Sequence, residues 1–239
     1  MPLQNRVTPF GKIIFSPQRG TFTGNRGVIH NANKEIVRKY ALKAWITCRL
    51  EYKGAHREVM TPNRWTELFF WDEATAFAAG HRPCAYCRNS DFKKFKSLWL
   101  KANREEFKMG DEGMKFIDTI LHTERMAMQN DAEYIYHLED LPDGTMVCYF
   151  DDESSAYLWW QKTLYTWGEK GYTQLEINYS SDQLMRVLTP PSIINTFREG
   201  YVPQIAMSFE LLAIEYTRRF KAHGSKLIAM NLSLTQYKI

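Results

Sequence analysis

The sequence has little of what secreted and membrane proteins require. Its first thirty residues lack the apolar run of a secretory signal, and no stretch approaches the roughly 18 unbroken apolar residues of a membrane span. Its four cysteines are too few and too unevenly spaced for a disulfide framework. These absences predict a cytoplasmic protein without a membrane partner, whose cysteines are thiols or metal ligands.

The net charge of the whole chain is also small, because 31 Lys and Arg are balanced by 27 Asp and Glu. The local balance is stronger, because the stretch from Arg82 to Lys108 holds eight basic residues against Asp91, Glu105 and Glu106. Such a stretch is typical of surfaces that contact nucleic-acid phosphates, although solvated basic helices are also common. With 44% hydrophobic residues, the chain can bury a substantial core.

Hydrophobic periodicity and turn residues predict an α+β fold with small antiparallel sheets and several helices around a zinc knuckle. The predicted strands and hairpins cover 1–30, 44–52 paired with 58–60, 68–70, 145–150, 156–160 and 164–167. The predicted helices cover 72–79, a stretch from residue 90 or 91, 114–128, a stretch from 190 to about 199, and 208–222, before a terminal strand or tail at 226–239. The change from helices to strands after Asn130 predicts two regions, 1–130 and 131–239, packed as one globular unit.

The clearest chemical motif is the pair Cys84 and Cys87. Two cysteines separated by two residues on a tight turn can place both sulfur atoms on one tetrahedral metal ion, as in zinc knuckles. Two incidental thiols are the alternative. The surrounding basic and turn-forming residues favour the knuckle.

Residues 69–88, FFWDEATAFAAGHRPCAYCR, resemble the second half of the Ada-type zinc-binding domain. In that family a strand, a short alanine-rich helix and a Gly-x-Arg-Pro-Cys-x-x-Cys turn deliver two of the four zinc cysteines. The resemblance implies Zn²⁺, DNA binding and, as in the family's namesake, transfer of a methyl group from a DNA phosphotriester to a zinc-bound cysteine. The whole chain is also similar to a bacterial family with the same Gly-Asn-Arg-Gly, His-Arg-Pro-Cys and Thr-Pro-Pro pieces, which implies no activity.

The sequence departs from the Ada pattern because the upstream cysteine pair is missing and only Cys48 can replace it. A methyl-accepting role is therefore not expected. Cys48 is the predicted third zinc ligand, and the fourth is His81, His56, Glu67 or water, with His81 preferred. A closed structural site is the main prediction, and a catalytic zinc-bound water is the alternative.

Glu124 is the main catalytic candidate. An advance of about 100° per residue places it on one helix face with Ile117, Ile120, Leu121 and Met128. An apolar setting would raise the pKa of this carboxyl toward general acid or base work, whereas a buried structural ion pair is the alternative. His122 and Asp143 complete the predicted catalytic set, although the Pro-Asp-Gly setting of Asp143 is also typical of a plain turn.

The predicted nucleic-acid contacts are basic, turn and aromatic side chains. The Gly24–Gly27 turn could present backbone amides and Arg26 to a phosphate, or it could be a simple hairpin turn. Aromatic residues near 160 could stack on bases or could belong to the core. The full predicted set is Arg19, Asn25, Arg26, Arg82, Arg88, Lys93, Lys94, Arg125 and Trp160.

These motifs predict a zinc-containing DNA-binding protein that processes or repairs modified or damaged DNA. A DNA glycosylase-like, base-excising hydrolase is one form of this hypothesis, because such an enzyme needs a carboxylate beside a pocket for an extruded base. A non-catalytic DNA-binding or regulatory module with a structural zinc knuckle is the alternative. A metal-dependent nuclease ranks third, since no cluster of acidic and histidine ligands is recognisable.

Overall fold

Two six-stranded sheets form the framework of the protein. The computed structural model describes residues 1–54, 58–107, 113–129, 134–150, 152–176, 179–180 and 182–207. The first sheet contains β1 (Gln4–Val7), β2 (Ile13–Phe15), β3 (Phe22–Asn25), β4 (Ile46–Arg49), β5 (Leu68–Phe70) and β6 (Arg82–Pro83). Its order is β2-β1-β5-β3-β4-β6, and the pairs β1–β5 and β4–β6 are parallel while the others are antiparallel.

The second sheet is antiparallel throughout its described pairs. It contains β7 (Ile135–His137), β8 (Thr145–Tyr149), β9 (Asp152–Trp160), β10 (Thr163–Gly168), β11 (Gly171–Gln174) and β12 (Leu184–Val187), in the order β11-β10-β9-β8-β12-β7. One buried face holds Val147, Trp159, Leu164 and Met185. Met146, the neighbour of Val147 along β8, points to the opposite face and is also buried, so this strand is covered on both sides.

Four α-helices lie in the described residues: α1 (Glu73–Ala78), α2 (Asn89–Asn103), α3 (Met114–Gln129) and α4 (Pro191–Arg198). Asp72 begins α1, because its Oδ1 accepts a 2.8 Å hydrogen bond from the Thr75 backbone N–H. Proline at the first position of α4 loses no hydrogen bond, since that N–H has no helical partner. The four helices share one core: Phe77, Phe95, Trp99, Ile117, Leu121, Ile193, Phe197.

The observed elements confirm the α+β class, the strand at 68–70, the cap at Asp72 and the antiparallel sheet after residue 144. The predicted pairing of 44–52 with 58–60 is wrong. Met60 has φ +56, a left-handed conformation that a strand does not accommodate, and its backbone N–H donates to a Glu67 carboxylate oxygen. β4 instead pairs with β3 and β6.

Met1–Ala206 forms one compact unit. Within it, α2 and α3, which precede residue 130 in the sequence, share a hydrophobic core with α4, which follows it. The second unit begins at Met207, and the predicted elements at 208–222 and 226–239 lie outside the described residues. Within the described part of the chain, no helix is long and apolar enough to cross a membrane.

Candidate functional site: a cysteine cluster and an arginine–tryptophan cluster

The sulfur atoms of Cys48, Cys84 and Cys87 lie within 4.8 Å of one another. Strand pairing causes this approach: β4 carries Cys48, and β6, which precedes Cys84, runs parallel to it with Thr47 opposite Pro83. The Cys84 backbone N–H continues this ladder with a 2.8 Å bond to the Thr47 carbonyl oxygen. The short turn to Cys87 then brings the third sulfur back to the other two.

The cysteine cluster could hold a metal ion. A tetrahedral zinc ion with bonds of about 2.3 Å separates its sulfur ligands by roughly 3.8 Å, which fits the observed spread. Cys84 and Cys87 are buried, and Cys48 is half-buried. The fourth cysteine, Cys148, lies in β8, where its sulfur accepts a hydrogen bond from Arg186.

Electrostatics favours one thiolate in this cluster. The pKa of Cys84 is lowered to about 5, chiefly because the Cys48 thiol donates a hydrogen bond to its sulfur. The backbone N–H groups of Cys87 and Tyr86 also donate to it, the latter over 3.4 Å. Burial raises the pKa of Cys87. A metal ion would supply the positive charge that lets the remaining thiols ionise.

Arg88, which follows Cys87, anchors the cysteine turn from the protein interior. Its Nη1 donates to Thr47 Oγ1 over 3.0 Å, and its Nη2 bonds to the buried Glu73 carboxylate. Glu73 also accepts hydrogen bonds from the Tyr201 hydroxyl at 2.8 Å and the Gln204 backbone N–H at 2.9 Å. The guanidinium of Arg88 is therefore used internally rather than offered to a nucleic acid.

Arg82 is also used internally, in contrast to its predicted role in nucleic-acid binding. Its Nε and Nη2 each donate to Asp118 over 2.8 Å, in a bidentate and nearly buried ion pair that joins β6 to α3. This ion pair fixes the strand that leads into the cysteine turn.

His81 does not join the sulfur atoms. It is fully buried between the rings of Phe70 and Trp45, whose centroids lie 4.6 and 5.2 Å away, and its Nε2 accepts from Arg26 over 3.3 Å. Burial, followed by the charges of Arg26 and Arg125, holds its pKa well below the ordinary value. Of the other suggested fourth ligands, Glu67 accepts from Met60, and His56 lies outside the described residues.

His81 belongs instead to what we call the arginine–tryptophan cluster: Arg26, Trp45, His81, His122 and Arg125. The guanidinium carbons of Arg26 and Arg125 lie 4.1 and 3.9 Å from the Trp45 ring centroid. Arg125 passes so close to Gly80, which has φ +76, that a Cβ there would lie 2.5 Å from Arg125 Nε. Glycine at this position thus serves both the end of α1 and the packing of Arg125.

The arginine–tryptophan cluster contains buried cationic groups with unsatisfied donors. Among the described residues, Arg26 Nη2, Arg125 Nε and Arg125 Nη2 have no hydrogen-bond partner, and neither have the Nδ1 atoms of His81 and His122. Burial lowers the pKa of Arg26 to about 9 and that of Arg125 well below its ordinary value. Buried charge without a partner is costly, and the described residues form no ion pair with either arginine.

Glu124, the main catalytic candidate, caps α4. Its two carboxylate oxygens accept from the Ser192 backbone N–H at 3.0 Å and from the Ser192 hydroxyl at 2.6 Å. Burial raises its pKa to about 7, against the opposing effect of these hydrogen bonds. The residue thus combines a structural role with a carboxyl group able to exchange a proton near neutral pH.

The other two catalytic candidates contact different parts of the molecule. His122 lies edge-on to Tyr40 with a centroid separation of 4.6 Å, and burial lowers its pKa. Asp143 is exposed, and its Oδ1 accepts from the Gln161 backbone N–H over 2.7 Å, which fixes the turns at the ends of β8 and β9. These contacts do not assemble Glu124, His122 and Asp143 into one catalytic group.

The remaining predicted nucleic-acid residues occupy several surfaces. Lys93 and Lys94 are exposed on α2, and Arg19 is exposed ahead of β3. Asn25 is buried, with its Oδ1 accepting from the Gly27 backbone N–H over 3.2 Å, as in a plain turn. Trp160 is half-buried at the end of β9 opposite Thr163.

Sequence reasoning missed the role of Trp45, which connects two arginines 99 residues apart. Its only local signal was the β-favouring run that contains it.

Comparisons of the chain with family models, curated proteins and solved structures found no significant match.

The ionisation of Glu124 predicts a pH-dependent stability. The pKa of Glu124 is about 7 in the folded state against an ordinary value of 4.5, so the folded protein binds this proton more tightly than the unfolded chain. The stabilisation that results is fully present below about pH 4.5 and is lost as the pH rises through 7. Glu124→Gln stays neutral, so we expect it to gain roughly 2–3 kcal/mol relative to the unaltered protein between about pH 5 and pH 8. Denaturant unfolding at both pH values measures this gain.

Glu105→Gln, which removes an exposed carboxylate, controls for the change of charge. A stability difference for Glu124→Gln that is constant over this pH range would contradict the raised pKa.

Proposed function

We propose that this protein is a zinc-containing DNA-binding protein, with the zinc held by Cys48, Cys84 and Cys87. The cysteine cluster carries the proposal, since its spacing fits sulfur ligands around one tetrahedral ion. Zinc is favoured over harder divalent cations because thiolate sulfur is a soft ligand. The bound ion would fix the cysteine turn, which leads directly into α2.

The surface around the cysteine turn supports the DNA part of the proposal. Tyr86, between two of the cysteines, exposes 68% of its surface and lies edge-on to Tyr52 at a centroid distance of 5.1 Å. Lys53 Nζ lies 5.4 Å from both rings, and Lys93 and Lys94 are exposed on the helix that follows. Exposed aromatic rings beside lysines are the combination that binds exposed bases and backbone phosphates.

Salt-dependent binding to a fluorescent oligodeoxynucleotide tests this surface. We expect Lys93→Gln/Lys94→Gln to weaken binding and to reduce the slope of log affinity against log salt by about 1–2, because each lost phosphate contact removes slightly less than one. Tyr86→Ala should weaken binding to single strands by roughly tenfold through lost stacking.

The matched control for Tyr86 is Phe150→Ala, which removes an aromatic ring that is 53% exposed and lies in the turn that follows β8. Equal effects of the two aromatic substitutions, or an unchanged salt slope in the lysine variant, would argue against this surface. Absence of oligonucleotide binding by metal-loaded protein would overturn the proposed function itself.

A second candidate function is the processing of modified DNA by base excision. The raised pKa of Glu124, about 7, favours it, because a general acid or base is most effective when its pKa is near the working pH. The Glu124→Gln variant should then lose release of free base from duplexes that contain modified bases while it still binds them. Retained release in that variant would leave Glu124 as the cap of α4 alone.

A further inference from the structure

A cavity of about 500 Å³ opens beside the arginine–tryptophan cluster. Four basic residues line it, namely Lys12, Arg26, Arg38 and Lys39, and none of its described lining residues is acidic. Phe10, Ile13 and Ile36 supply an apolar wall. Its volume falls within the roughly 300–1,000 Å³ of small-molecule sites, and its charge would attract an anion.

Arg26 is the buried basic residue of this cavity, whereas Lys12, Arg38 and Lys39 are exposed. It is only 2% exposed, its Nη1 donates to the Gly11 carbonyl oxygen over 3.1 Å, and its Nε donates to His81 over 3.3 Å. Its Nη2 has no partner among the described residues. The guanidinium is thus held in one orientation with a donor group left over, which suits a fixed anion rather than a mobile surface contact.

No carboxylate in the described part of the chain forms an ion pair with Arg26. The adjacent cation, Arg125, is stacked on the same tryptophan, and its charge and that of Arg26 oppose each other. The carboxylates that act on Arg125 are Asp118 and Glu124, which are engaged by Arg82 and Ser192. A bound anion is therefore the group that would balance the pair.

We propose that this cavity binds one nucleotide unit through its phosphate group, with Arg26 and Lys12 at the phosphate and Phe10 beside the base. A phosphate oxygen accepts several charge-assisted hydrogen bonds, and the apolar wall offers a face to a flat ring. Arg38 and Lys39 are exposed at the rim, where they would meet an adjoining phosphate of a strand. The inference deepens the proposed function and rests on it where the nucleotide belongs to DNA.

Titration calorimetry with deoxyadenosine monophosphate, with deoxyadenosine and with a short single-stranded oligodeoxynucleotide tests the cavity. We expect the monophosphate to bind more tightly than the nucleoside. Arg26→Gln should weaken monophosphate binding by about tenfold or more, because a hydrogen bond to a charged group is lost. Lys12→Gln/Lys39→Gln alters only exposed side chains, so it tests the same site without disturbing the interior.

Arg64→Gln, an exposed arginine that does not line the cavity, is the matched control and should leave binding unchanged. Equal affinities for nucleotide and nucleoside, or unaltered monophosphate binding in the lysine variant, would overturn the proposal.

The oligonucleotide measurement separates this inference from the proposed function. Weaker oligonucleotide binding in the cavity variants supports both. Monophosphate binding that depends on Lys12 and Lys39, in a protein that binds no oligonucleotide, supports the cavity as a free-nucleotide site and refutes DNA binding. Oligonucleotide binding that is unchanged in both variants, with no monophosphate bound, refutes the cavity alone.

Discussion

Replacing Cys84 with serine is expected to abolish metal binding and to lower the thermal unfolding midpoint by about 5–10 °C. A ligand present at one hundred times its dissociation constant stabilises a protein by about 2.7 kcal/mol, and each kcal/mol shifts the midpoint of a domain of this size by about 2–4 °C. Serine removes the sulfur whose thiolate the structure favours most. Elemental analysis gives the metal per chain, and thermal unfolding gives the midpoint.

Cys148→Ser is the matched control, because Cys148 is buried outside the cysteine cluster. It should retain the metal. If freshly prepared, reduced protein contains no metal, or if Cys84→Ser retains a full complement, the cysteine cluster is not a metal site.

Replacing Glu73 with alanine should reduce the free energy of unfolding by about 3–5 kcal/mol, the usual effect of removing one partner of a buried ion pair. The substitution leaves the buried Arg88 guanidinium with only the half-buried carboxylate of Asp91, 2.9 Å away, and it deprives Tyr201 of its acceptor. Denaturant unfolding monitored by circular dichroism measures the loss. Metal affinity should also fall, because Arg88 anchors the cysteine turn.

Glu58→Ala provides the comparison, since Glu58 forms an exposed ion pair with Lys34 and exposed pairs contribute little. If Glu73→Ala is no more destabilising than Glu58→Ala, the buried network around Arg88 does not hold the fold together.

Local signals account for the parts of the fold that the sequence predicted well. Asp72 marks the start of α1 and Gly80 its end, and the two lie within nine residues, so the bounds of this helix could be predicted without knowledge of distant contacts. The cysteine turn is equally local. The assignment of Cys48 to the same site depended on resemblance to a known domain and on there being no better cysteine, and the structure brings it to the other two.

Contacts between distant residues account for what the sequence could not predict. The partner of Glu124 is Ser192, 68 residues away, and a helical periodicity can show only that the carboxylate faces the core. The pairing of β4 with β6 is parallel, and parallel strands are not joined by a tight turn, so no turn in the sequence predicts this pairing. The meeting of Arg26 and Arg125 on Trp45 depends on three separate segments of the chain, namely the residue after β3, the residue before β4 and α3, and it leaves no local pattern.

The partners of Asp72 and Glu73 lie far along the chain, so we expect these contacts to form late in folding. These adjacent buried carboxylates bind the Tyr172 hydroxyl, the Tyr201 hydroxyl and the backbone N–H groups of Gln204 and Ala206, between 100 and 134 residues further along the chain. During synthesis on the ribosome, α1 therefore emerges long before the groups that satisfy its acidic end, and contacts of such separation form slowly. Until residues 201–206 have emerged, α1, the helix that precedes the cysteine turn, lacks the hydrogen-bond donors that satisfy the carboxylates at its start.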